Sequence, residues 1–204
     1  MTSMCFEGII DKKDIEEVDI PYGFTEIGEM AFQGCKSLTD VTIPDSITKI
    51  NENAFSFCSS LKNITIPSSV TEIGEYAFAF CSLLTNITIP NGVTSIARHA
   101  FLGCKSLKSI TISNSVTKIG IGALWECSSL TNVLLSNSIT EIGESVFRVC
   151  SSLTNITIPN GVTKIGACAF SGCSSLANIT ISNSVTEIGE NAFEGCLSLT
   201  NITI

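Results

Sequence analysis

The stretch Leu153-Thr-Asn-Ile156-Thr-Ile158-Pro159-Asn-Gly-Val162-Thr-Lys-Ile165-Gly166-Ala-Cys168-Ala169-Phe170-Ser-Gly-Cys173 decides the fold. After its leading Leu, Leu153 to Pro159 alternates apolar and polar residues, the pattern of a half-buried strand. Its β-branched residues suit a pleated surface. Pro159, Asn160 and Gly161 then supply a turn. Val162 to Gly166 reads as a second, shorter strand, and Ala169 to Cys173 as a compact turn or a single helical turn. The order is strand, corner, short strand, turn, corner.

The same unit recurs in both directions. Cys35, Cys58, Cys81, Cys104, Cys127, Cys150, Cys173 and Cys196 stand 23 residues apart. Leu38 to Leu199 keep the same step, as do Phe32, Phe55, Phe78, Phe101, Phe147, Phe170 and Phe193, with Leu124 filling the gap. Three columns in phase without insertion or deletion define a repeat protein. Eight units run from Phe24 onward, the last truncated. Ile15, Val18 and Ile20, followed by Pro21, make a partial unit before them. Residues 1–14 are expected to be an N-terminal cap and residues 15–204 one solenoid. No single unit can bury its apolar side, so stacking must join the Ile, Leu, Val, Phe and Cys columns into one core, with two parallel ladders. At roughly 4.8 Å between strands, the array is about 40 Å long.

Composition narrows the function. The net charge is −8 and no Lys/Arg run occurs, so nucleic acid and anionic membrane are not expected partners. No stretch approaches the roughly 18 apolar residues of a membrane helix, so no membrane insertion is expected. Met1 to Asp11 lack the basic start and apolar run of a signal peptide.

The unit resembles the BspA-like, or Treponema pallidum-type, leucine-rich repeat. The carrying residues are Ile73-Gly74-Glu75-Tyr76-Ala77-Phe78-Ala79-Phe80-Cys81 followed by Leu84-Thr-Asn-Ile87-Thr-Ile89-Pro90. The resemblance implies a right-handed, curved leucine-rich-repeat superhelix: mainly parallel β ladders with short helical turns and a strand-lined concave face. Relatives occur in host-associated bacteria and in protists, and many look like surface proteins for adhesion or host-protein binding. It implies no catalytic motif and no cofactor.

The eight column cysteines read as buried free thiols. Zinc ligands must converge, whereas a column forms a line, and cysteine often serves as a small hydrophobe. Free thiols favour a reducing, cytoplasmic compartment, while the resemblance allows the cell surface. Cys168 and Cys173 form a close off-column pair, and Cys5 is the candidate for an exposed thiol. The single histidine, His99, occupies a position filled elsewhere by Met30, Asn53, Tyr76, Gly122, Ser145, Cys168 and Asn191. That variety marks it as solvent-facing. With no partner carboxylate and nucleophile beside it, and no phosphate loop or hydrolase motif, a non-enzymatic protein is expected. Glu29, Glu52, Glu75, Glu144 and Glu190 read as a solvated edge. Five Asn-x-Thr sequons, at Asn63, Asn86, Asn155, Asn178 and Asn201, form a polar ladder and are glycosylation sites only on export.

In the short strand, Glu26, Lys49, Glu72, Ser95, Lys118, Glu141, Lys164 and Glu187 share one column, with opposite signs adjoining at most steps. Such pairs are worth about 0.2–1 kcal/mol each. The polar columns of the long strand are short-chained and lack the Tyr, Trp and Arg of binding hot spots. Variation therefore carries the signal. The unit Val116–Ser138 holds Ile121 where Glu is common, the only tryptophan, Trp125, and Leu134 among threonines. Trp125, Leu134 and Ile121 are the candidate partner-binding residues, and the expected partner is a protein. The chain stops within its last long strand, so a homodimer through the C-terminal edge is a further expectation.

Overall fold

The computed structural model describes residues 3–4 and 14–203. The short strands, numbered with the long ones in chain order, are β1 (Ser3–Met4), β3 (Glu26–Ile27), β5 (Lys49–Ile50), β6 (Glu72–Ile73), β8 (Ser95–Ile96), β10 (Lys118–Ile119), β12 (Glu141–Ile142), β14 (Lys164–Ile165) and β16 (Glu187–Ile188). The long ones are β2 (Glu17–Asp19), β4 (Asp40–Thr42), β7 (Asn86–Ile89), β9 (Ser109–Ile112), β11 (Asn132–Leu134), β13 (Asn155–Thr157), β15 (Asn178–Thr180) and β17 (Asn201–Thr203). All pair in parallel with the equivalent residue one unit away, as Ile50 with Ile73 and Ile87 with Ile110. The result is a parallel β-solenoid of about eight turns. Ser3 pairs with Glu26, so β1 joins the ladder at the same 23-residue interval, although most of the segment expected as a cap lies outside the described residues. Cys5 lies outside them too.

The columns become the core. Phe32, Phe55, Phe78 and Phe101 stack with ring centroids 5.1 to 5.4 Å apart. That separation follows from the inter-strand spacing and suits offset stacking. Phe147, Phe170 and Phe193 resume the stack beyond Leu124. The smaller Leu124 is matched by Val146, which stands in the next unit where the other units have Ala, so volume is redistributed across the junction. Each fully buried Phe, Leu or Ile contributes about 1.5–3 kcal/mol.

The segment between short and long strand is a run of overlapping turns, not a helix. Ala31, Gln33, Cys35 and Leu38 each donate their N–H to the carbonyl three residues earlier. Two residues per unit take left-handed backbone, as Tyr76 (φ 54°) and Phe80 (φ 60°) do in the third unit. Their N–H groups, and that of the residue midway between them, point along the solenoid axis and bond the next unit: Tyr76 to Arg98 O (3.1 Å), Phe78 to Ala100 O (2.8 Å) and Phe80 to Leu102 O (2.6 Å). The turn side thus carries its own hydrogen-bond ladder, continuous through the array.

The strand ladders are not continuous. Residues 63–66 form no strand, which splits the long ladder after β4. Between the fifth and sixth units both ladders stop together, since neither β10 and β12 nor β11 and β13 join one sheet. Among the described residues this is the one junction where that happens. Thr140 N and Gly143 N lack the bonds that Thr117, Thr163, Gly120 and Gly166 make to the preceding unit.

Candidate functional site

Each candidate residue belongs to the fifth unit, yet they look out from three sides of it. Leu134 is 64% exposed on the long-strand face. It lines a groove of about 420 Å³ with Asn132, Asn155, Thr157 and Pro159, over the gap between β11 and β13. Ile121, 41% exposed, lines a groove of similar size on the short-strand side with Lys118, Glu141, Glu144 and Lys164. Trp125 lies half-buried on the turn face and lines neither groove.

On the turn face the sequence reading missed the setting of His99. His99 is not solvent-facing: it is 6% exposed. Its ring lies between Tyr76 (centroids 5.0 Å apart) and Trp125 (5.9 Å). Its Nδ1 is 3.3 Å from the carbonyl oxygen of Gly122. The space comes from Gly122, where a Cβ would strike the imidazole. Arg148 closes the series, its guanidinium 4.9 Å from the Trp125 ring centre, a cation–π contact. Tyr76, His99, Trp125 and Arg148 thus make a ladder over four successive units. Phe57 and Phe80 stack nearby at 4.8 Å, and Phe80 lies over Gly103, where a Cβ would come within 2.6 Å of its ring. The signal in the sequence was the lone glycine, Gly122, one unit after the lone histidine.

The thiol column is chemically quiet. No disulfide joins the nine described cysteines to one another; seven of the eight column members are buried, Cys196 only partly, and Cys168 forms no bridge with Cys173. Cys81 Sγ donates to Phe55 O (3.1 Å), and Cys104, Cys127, Cys150 and Cys173 repeat the bond to the preceding unit. Burial pushes the thiols up, Cys104 and Cys173 to about 12. Neutral, hydrogen-bonded thiols in an apolar row are neither nucleophiles nor ready metal ligands.

On the short-strand face two of the five opposite-sign steps of the charge column form ion pairs. Lys49 meets Glu72 at 2.9 Å and Lys164 meets Glu187 at 2.7 Å. The hydrogen bond and charge of Glu72 raise the Lys49 pKa, and those of Glu187 raise the Lys164 pKa. Lys118 and Glu141 fall at the interrupted junction and their strands do not pair. Among the described residues no group of His, Cys, Asp and Glu could hold a metal ion. No described helix is long and apolar enough to cross a membrane.

A stack of parallel two-strand units with a shared Leu, Phe and Cys core defines a leucine-rich-repeat solenoid. The description "BspA type Leucine rich repeat region (6 copies)" matches residues 3–129 and 94–204, and the chain belongs to that family. It is similar to a leucine rich cell surface protein from Faecalibacterium prausnitzii, with 38% identity and TM-score 0.62 over 94% of this chain and 60% of that one. It is similar to the leucine rich repeat protein of T. pallidum, with 34% identity and TM-score 0.56 over 57% of each chain. The pneumococcal vaccine antigen PcpA shares the fold at 21% identity, with TM-score 0.55 over 92% of this chain and 56% of that one. The chain thus spans about three-fifths of the length of these relatives or less. Comparison with curated proteins returns no significant match.

Proposed function

We propose that this leucine-rich-repeat domain is a non-enzymatic, protein-binding module acting in adhesion or in contact with host proteins. The observation that carries the reading is the likeness, at 38% identity over 94% of the chain, to a protein described as a cell surface protein. The side chains agree with it. The chemistry-bearing groups are spread along columns, and the large exposed side chains that depart from the repeat, Leu134, Ile121 and half-buried Trp125, suit contact and not turnover. A second reading, an intracellular scaffold, is favoured by the nine described cysteines, among which no disulfide forms. Both readings allow a homodimer, whose surface would be β17 with Ile188, Leu197 and Ile202, which are exposed. Protease shaving of intact source cells separates the two readings. Release of peptides from this chain supports the surface module; full protection, with the chain recovered only after lysis, supports the scaffold.

A further inference from the structure

On the long-strand face five successive rungs carry no charge. The segments 86–93, 109–116, 132–139, 155–162 and 178–185 contain no Asp, Glu, Lys or Arg, although 15% of the chain is charged. The charges of this face lie outside those segments: Lys62 and Lys108 in the column just before the strands, and Glu17, Asp19 and Asp40 on the first rungs. What the five rungs expose is amides, hydroxyls and Leu134. Two grooves flank Leu134. The one over the gap between β11 and β13 is about 420 Å³, and the other, reaching back over β9 and β7, is about 530 Å³. Leu134, Leu135 and Asn137 line both, so the two form one surface.

The hydroxyls of this surface are uncommitted, unlike those of the other threonine columns. Thr71, Thr117 and Thr163 on the short-strand side, and Thr85 and Thr131 just before the long strands, each donate to a carbonyl of the preceding unit. Thr88, Thr111 and Thr157 are exposed, and their side chains make no hydrogen bond among the described residues; the same holds for the side-chain amide of Asn137. Asn86, Asn132 and Asn155 each donate one amide N–H to the preceding threonine hydroxyl at 3.2 Å. That bond sets the plane of the carboxamide and leaves its second N–H for a ligand. Groups held in place beforehand lower the ordering cost of binding. A neutral face that both donates and accepts suits a ligand with the same property. The vicinal hydroxyls of a sugar donate and accept, and the C–H face of its ring packs on an aliphatic side chain such as Leu134. A charged ligand would find no counter-ion on these rungs, and a protein hot spot would need Tyr, Trp or Arg anchors, which they lack. Rungs repeat about 4.8 Å apart, close to the length of one pyranose ring in an extended chain, so successive sugars meet successive rungs.

We infer that the uncharged long-strand face around Leu134, from Thr88 to Thr157, binds a neutral oligosaccharide laid along the solenoid axis. The inference goes beyond the protein-binding reading and does not rest on it. To test it, the whole chain is applied to an array of neutral and acidic oligosaccharides, and the neutral binders are then titrated against it in solution. Neutral hexose or N-acetylhexosamine chains should bind, with an affinity that holds from about 0.05 to about 0.5 M salt because no charge pair is there to be screened. Leu134→Thr installs the residue that the other units carry in that column, so the fold is kept while the apolar platform is lost. Asn137→Asp replaces an amide donor by a charge at constant size. Each should weaken binding about fivefold or more. Glu75→Gln, on the solvated edge beside the turns, should leave it unchanged. An array without a neutral binder, retention of acidic glycans alone, a steep fall in affinity with salt, or binding undiminished in both Leu134→Thr and Asn137→Asp would each overturn the inference. None of these results bears on the protein-binding reading, which concerns a different class of ligand.

Discussion

The buried thiol column ties single residues to pH. A column cysteine fills a small apolar site and also donates to a carbonyl of the preceding unit, as Cys104 does to Phe78 O at 3.2 Å. Alanine would leave a gap and lose that bond. The folded chain holds Cys104 and Cys173 neutral up to about 12, against an ordinary value of 9.0. Above pH 9 the unfolded chain sheds those protons and the folded chain keeps them, so stability is full below that point and falls as pH rises toward the folded values. Each such thiol contributes about 1.4 kcal/mol per pH unit in that window. The exposed lysines Lys49 and Lys164 act with the same sign, since their raised values add stability that is lost as the lysines deprotonate. Urea midpoints measured from pH 7 to 10.5 should hold steady to about pH 9 and then drop steeply. Cys104→Ala should cost about 1–2 kcal/mol at pH 7, chiefly the lost hydrogen bond and packing, and make the alkaline decline shallower. A midpoint that stays level to pH 10.5 would refute the account.

At the scale of elements, one column gives a contrast between two glycines. A Cβ on Gly120 would lie 2.6 Å from Arg98 N and 2.7 Å from Ala97 C, backbone atoms that cannot step aside. On Gly143 the nearest atom would be Ile119 O at 3.1 Å, because that glycine faces the junction where both strand ladders stop. Gly120→Ala should therefore destabilise by about 2–4 kcal/mol and Gly143→Ala by less than about 1 kcal/mol. Thermal melts of the two variants check this, and equal losses would mean the junction is as tight as its neighbours. The unit, its strands and its core columns were legible in the sequence because a 23-residue period fixes what stacks on what. The interruptions were not. Asn63-Ile-Thr-Ile66 and Asn86-Ile-Thr-Ile89 are the same four residues, yet only the second is a strand. Strand formation there depends on the neighbouring units, which no local pattern encodes. The turn face was misread for a related reason. Variety in the column of Tyr76, His99 and Gly122 suggested a permissive, solvated position, whereas φ is positive at all three and the stacking partner lies a whole unit away. Of the three candidate residues, the identity of the unit was legible, but their separation onto different sides depends on coordinates.

For the whole molecule, stability is close to a sum of unit terms and nearest-neighbour junction terms, and one junction is weaker than its neighbours. Between units five and six the core remains joined through Cys150 Sγ to Leu124 O, the turn ladder remains joined through Gly122, Leu124 and Glu126, and Arg148 grips Trp125. What is missing is the strand pairing on both faces. In the 204-residue chain three units lie beyond this joint and five before it, so the smaller block has fewer neighbours to share its cost of ordering and a poorer joint to the rest. It should unfold first and partly on its own, so the array departs from two-state behaviour. The cysteine column reports on this unit by unit, because a buried thiol reacts only when its own unit opens. In graded urea, pulse labelling followed by mass spectrometry should modify Cys150 and Cys173 at lower denaturant than Cys58, Cys81 and Cys104. Fluorescence of Trp125, which Arg148 contacts across the joint, should change together with the labelling of Cys150 and Cys173 and before the far-ultraviolet circular dichroism has completed its fall. Simultaneous labelling of all five thiols, with coincident optical transitions, would show that the turn-side contacts alone make the junction as strong as the rest.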